Sequence, residues 1–145
     1  MEQIPRQLFK YVDLKQETEN LLDRLARMKS SAELPPMREA DGSQHTSSSG
    51  DRMGRAVEAY MAYEAQIMPI VEANRREMLA VEQAVARLDD PQERDVLRAR
   101  YLDGAAYRHP CWWEVAYIVY RDTDVKYQRA AQRIHRRALR HFKNP

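Results

Sequence analysis

Arg129, Arg133, Arg136 and Arg140 recur at spacings of four, three and four, so on a helix they share one face. Guanidinium groups hold phosphate or carboxylate oxygens in a fork of N–H donors and stay charged at any physiological pH. Lined up together they also repel one another, by about 0.2–0.5 kcal/mol for each i,i+4 pair. Either solvent or a polyanion must meet such a face. Solvated faces usually mix signs, whereas residues 125–145 hold seven Lys or Arg and no acid. Cations near a helix C-terminus gain about 0.3–1 kcal/mol from the helix dipole, so part of this charge can be structural. Lys126, Gln128, Gln132 and Lys143 flank the arginines. Arg and Gln near a helix start are the side chains that read guanine and adenine edges, while further cations meet phosphates.

The elements that must position this face are helical. The buried side of the last helix, about residues 125–142, reads as Tyr127, Ala131, Ile134, Ala138 and Phe142, opposite the arginines. Before it, "LDDPQERDVLRARYLDG" carries Asp90 as a cap, Pro91 at the first helical position and Glu93 to complete a capping box. That helix buries Val96, Leu97 and Tyr101 and stops at Asp103-Gly104. A short helix then begins near Pro110, with Trp112, Val115, Ala116, Val119 and Tyr120 on one face, and "RDTD" turns the chain. Three helices in this span, the last one basic, is the organisation of a helix-turn-helix DNA reader.

Residues 1–89 have a different pattern. Tyr11, Leu14, Thr18, Leu21, Leu25, Met28 and Ala32 follow helical spacing after Ile4, widened by Leu8 and Leu22. Pro35-Pro36, Gly42 and the run Thr46 to Gly50 mark a flexible loop at about 33–50. From an N-cap at Asp51, a seam runs through Met53, Val57, Tyr60, Glu64, Ile67, Val71, Asn74, Met78, Val81, Val85 and Leu88. This alternation by four and three is coiled-coil-like, with Pro69 lying off the seam to bend the helix without ending it. Asn74 either fixes a partner's register or packs nothing in particular. The expected fold is all-α: a long antiparallel helical hairpin at 1–89, then a helix-turn-helix domain at 90–145. A seam this long leaves apolar surface for self-association through the hairpin, against a monomeric hairpin packed on the C-terminal domain.

Composition narrows the function classes. The chain has 145 residues, 43% apolar and 32% charged, with four glycines. Its net charge of +2 hides an acidic body, because all 22 acids lie before residue 125. The single Cys111 allows no internal disulfide and no zinc-site cluster, and reads as a small packed thiol. No apolar run reaches the length of a membrane span and the start lacks a signal peptide's apolar stretch, so a cytoplasmic protein is expected. His109, His135 and His141 read as surface or boundary residues with no serine, cysteine or carboxylate partner, and Trp112 and Trp113 as core and boundary packing. No phosphate-binding glycine loop is present. Neither enzymatic activity nor a cofactor nor a metal is expected.

"DPQERDVLRARYLDG", then "WWEVAYIV", then "AAQRIHRRALRHF" resembles region 4 of sigma-70-type sigma factors over about residues 88–142. The recognition-helix pattern of that family is carried by Ala131, Ile134, Ala138, Leu139 and Phe142. By architecture, the whole chain is similar to phage and prophage transcriptional regulators of the RinA/ArpU type. The resemblance implies a sequence-specific regulator of phage genes acting in the bacterial host's cytoplasm, without catalysis or metal. It places base contacts at Gln128, Arg129 and Gln132, and backbone contacts at Lys126, Arg133 and Arg136, with Arg140 completing the basic face. Insertions near 105–111 and 121–127, and a turn without the usual glycine and serine, depart from the family pattern. Two further classes are open: a sigma-like interaction protein that docks on RNA polymerase, and a small terminase-like DNA-packaging subunit.

Overall fold

The computed structural model describes residues 4–33, 49–104 and 109–145. Among these the regular structure is entirely helical: α1 (Arg6–Glu33), α2 (Ser49–Ala86), α3 (Pro91–Leu97), a π-helical turn (Arg98–Leu102), α4 (Trp112–Tyr120) and α5 (Val125–His141). The expected loop at 33–50 and the insertion near 105–111 fall largely on residues outside this description. Two compact units form, Met1–Glu17 with Asn74–Pro145, and Thr18–Ala73.

In the unit Thr18–Ala73, α1 buries Thr18, Leu25 and Ala32, and α2 buries Ile67 and Val71. Lys29 pairs with Glu64 at 3.0 Å, and the Arg24 guanidinium lies 5.2 Å over the Tyr63 ring. α2 begins at Ser49, which places Asp51 inside the first turn rather than at the N-cap. Its carboxylate there still favours the positive end of the helix dipole. The helix runs on through Pro69, as the unbroken seam requires. Met53, at the seam's start, is exposed.

In the larger unit the seam continues as Val81, Val85 and Leu88, which pack with Leu8 and Tyr11 of α1. Leu97, Tyr101, Leu102, Ala138 and Phe142 complete that core. Asn74 is buried, and its Nδ2 donates to Glu17 Oε1 at 2.8 Å, so the seam's amide is satisfied within the chain. The Tyr11 hydroxyl donates to the Glu82 carboxylate, and Lys10 lies 3.5 Å from Glu77. A second core joins Val96, Ala99, Val115, Ala131 and Ile134, with Trp112, Val119 and Tyr120 at its edge. Residues of α3, α4 and α5 thus share one interior.

Candidate nucleic-acid interface

Local chemistry sets where α5 starts. The Asp124 carboxylate accepts from the Lys126 N–H at 2.9 Å, and the Asp122 carboxylate accepts from the Asp124 N–H at 2.9 Å. These acids satisfy orphan donors at the first turn, so the helix opens at Val125. The preceding turn is shaped by Arg121, which ends α4 with φ 59°. That is the left-handed region, where glycine is the residue without penalty. Ala131, Ile134 and Ala138 then face inward as expected.

The outward side holds Arg129, Arg133, Arg136 and Arg140, all exposed, together with exposed Lys126. Arg133, Arg136, Arg137 and Arg140 line a concavity of about 620 Å³ floored by Ala130 and Ile134. No acid lies on this helix. The two glutamines behave differently. Gln132 is half-buried beside the arginines, and its backbone carbonyl accepts from Arg136 Nε at 3.5 Å. Gln128 lies about 110° around the helix from the middle of the arginine face, at 3.6 residues per turn. Its Nε2 donates to the Thr123 carbonyl at 2.9 Å, which braces the turn before α5. Gln128 is thus not brought together with the other six candidates.

Arg137, one residue beyond Arg136, sits on the flank and serves packing. Its Nε donates to Glu93 at 2.7 Å and its terminal nitrogen to Asp90 at 2.5 Å. Glu93 is only 2% exposed, and both its oxygens also lie within 3.0 Å of His141 Nδ1. Two expectations change here. Glu93 turns toward α5 instead of closing a capping box, because a buried carboxylate needs cationic partners more than a neutral N–H. His141 does have a carboxylate partner. The helix start keeps Asp90 as its cap, accepting from Gln92 N–H at 2.9 Å. Spacing carried a signal for Arg137, since at 3.6 residues per turn it lies about 70° from the middle of the arginine face.

His135 is buried, not a boundary residue. It shares a 2.6 Å hydrogen bond with the Tyr101 hydroxyl and packs edge-on against Trp112 at 5.0 Å. Burial, with Arg100 and Arg136 nearby, lowers its pKa to about 4. A neutral imidazole therefore backs the arginine face. Burial likewise lowers the pKa of His109, whose ring lies 4.6 Å from Phe9. Cys111 is exposed at the start of α4 rather than packed, because the buried face begins one residue later at Trp112. Trp113 is 51% exposed, so it is a surface side chain and not boundary packing. With Tyr117 and Ile118 it makes an apolar exterior for α4 that the periodicity of the buried face did not announce.

Among the described residues, no group of three or more His, Cys, Asp or Glu is arranged to hold a metal ion. None of the described helices is long and apolar enough to cross a membrane. No family model, no curated protein and no solved structure matches this chain.

Proposed function

We propose that this chain is a sequence-specific DNA-binding transcription regulator of the phage and prophage kind, acting in the bacterial cytoplasm without catalysis. Residues 90–145 form a helix-turn-helix domain in which α5 is the recognition helix. α1 and α2 form an antiparallel hairpin that assembles protomers, so that two or more recognition helices meet spaced half-sites. One observation carries this: four exposed arginines share a face of a helix that has no acid and packs its opposite side with residues of α3 and α4. Arg129 and Gln132, near the start, contact base edges, and Lys126, Arg133, Arg136 and Arg140 contact phosphates. Gln128 braces the turn.

Fluorescence anisotropy on duplex DNA across a salt series tests this. Four phosphate contacts per protomer, from Lys126, Arg133, Arg136 and Arg140, give a log–log slope of about −3.6, from roughly −0.9 per neutralised phosphate, and steeper for a dimer. Gln132→Ala should relax sequence preference, whereas Arg136→Gln should weaken binding to all sequences alike. Absence of salt-dependent binding would remove DNA as the partner.

The exposed Trp113, Tyr117 and Ile118 favour a second reading, a protein partner such as RNA polymerase on the outer side of α4. Co-purification with polymerase in the absence of DNA would distinguish it.

A further inference from the structure

A second concavity, of about 680 Å³, lies at the C-terminal end of α5, between that end and the chain leaving α2. Arg87, Arg140 and Lys143 line it with Asp89, Asp90 and Glu93. The acids are not equivalent. Asp90 and Glu93 are already bound by Arg137, and Glu93 also by His141. The carbonyls of Leu88 and Asp89 at its edge accept from Arg94, which closes the backbone acceptors of that turn. What remains beside Asp89 is Arg87 and Lys143. Among the described residues, no carboxylate lies within ion-pair distance of Arg87 or Lys143, and both are exposed. Arg137 and Arg140 line both this concavity and the one on the arginine face, so the two adjoin.

We propose, resting on the DNA-binding reading above, that Arg87 and Lys143 form a second backbone-contact site that takes a duplex phosphate beyond those met by Arg133 and Arg136. A diester phosphate suits the chemistry: one negative charge, two acceptor oxygens, and no base edge to be read by side chains at the end of the helix. Arg87 comes from α2's end and not from the recognition helix. The site therefore adds affinity without adding sequence preference, and ties the domain's register on DNA to the helix that precedes it.

The experiment is the same salt series with Arg87→Gln, Arg87→Lys and, as a control, Arg75→Gln, an exposed arginine of α2 away from this concavity. Each is measured on one preferred and one scrambled duplex, with helical content checked by circular dichroism. Arg87→Gln should make the slope shallower by about 0.9 and weaken binding roughly eight-fold at 0.1 M salt relative to 1 M, equally on both duplexes. Arg87→Lys should keep the slope, and Arg75→Gln should leave it unchanged. An unchanged slope in Arg87→Gln, with the unaltered protein still salt-dependent, overturns this site alone. No salt-dependent binding by the unaltered protein overturns the DNA reading and this site with it. A loss equal to that of Arg75→Gln would reduce the effect to net charge and would also overturn the site.

Discussion

At the scale of single residues, the buried polar groups behind α5 decide its behaviour. His135 titrates at about 4 in the folded protein because burial disfavours its charged form, against about 6.5 in the unfolded chain. The folded pKa is depressed, so the stabilisation is complete above pH 6.5 and is lost as pH falls toward 4. Between pH 7.5 and 5 this group alone should remove about 2 kcal/mol of stability, at 1.36 kcal/mol per pKa unit. Urea unfolding of the protein and of His135→Leu at both pH values isolates it. The gap between the two should shrink by that amount on acidification, and a gap independent of pH would contradict the assignment. Arg137 makes a different case, because it compensates a carboxylate that is 2% exposed. Arg137→Met should destabilise by about 3 kcal/mol, since a buried charge that loses its main partner is expensive. Glu93→Gln added to Arg137→Met should recover part of that loss, and a strictly additive double-mutant cycle would show that the pair does not couple.

At the scale of elements, the α4–α5 connection is held in place by Arg121 in the left-handed region and by Asp122, Asp124 and Gln128 around the turn. An L side chain there costs about 1 kcal/mol, partly offset by the entropy that glycine would lose on folding. Arg121→Gly should therefore raise stability by about 0.5 kcal/mol, seen as a higher urea midpoint with an unchanged slope. A lower midpoint would mean that the arginine's own contacts outweigh the backbone strain. Helix α4 itself is two-faced in an unusual sense. Val115 and Ala116 are fully buried, yet Trp113, Tyr117 and Ile118 are about half exposed, so both of its sides are apolar.

At the scale of the whole molecule, α2 buries Ile67 and Val71 in one unit, and Val81 and Val85 together with Leu8 and Tyr11 of α1 in the other. Met53, Met61, Ile70 and Leu79 stay exposed. These are the surfaces through which protomers would assemble, so sedimentation equilibrium at tens of micromolar should find species heavier than the 17.1 kDa chain. Ile70→Glu should shift that equilibrium toward the single chain. A single 17.1 kDa species at every concentration would end the model of paired recognition helices.

How much of this was legible beforehand differs by kind of interaction. Periodicity alone located α1, α2 and α5 to within about two residues, and the opposition of the arginine face to Ala131, Ile134 and Ala138 followed from helical geometry. Caps at Asp90 and punctuation by Pro91 were local and therefore readable too. The arrangement of the buried polar groups was not. Glu93 meets Arg137 and His141 across more than forty residues, and Tyr101 meets His135 across 34, distances over which no spacing rule operates. Arg87 and Lys143 line one concavity for the same reason. The sequence by itself determined the helices and which side of α5 carries charge, because both are set by contacts within a few turns. Tertiary structure alone decided which of the charges are neutralised and which face solvent, because that depends on where distant acids come to rest.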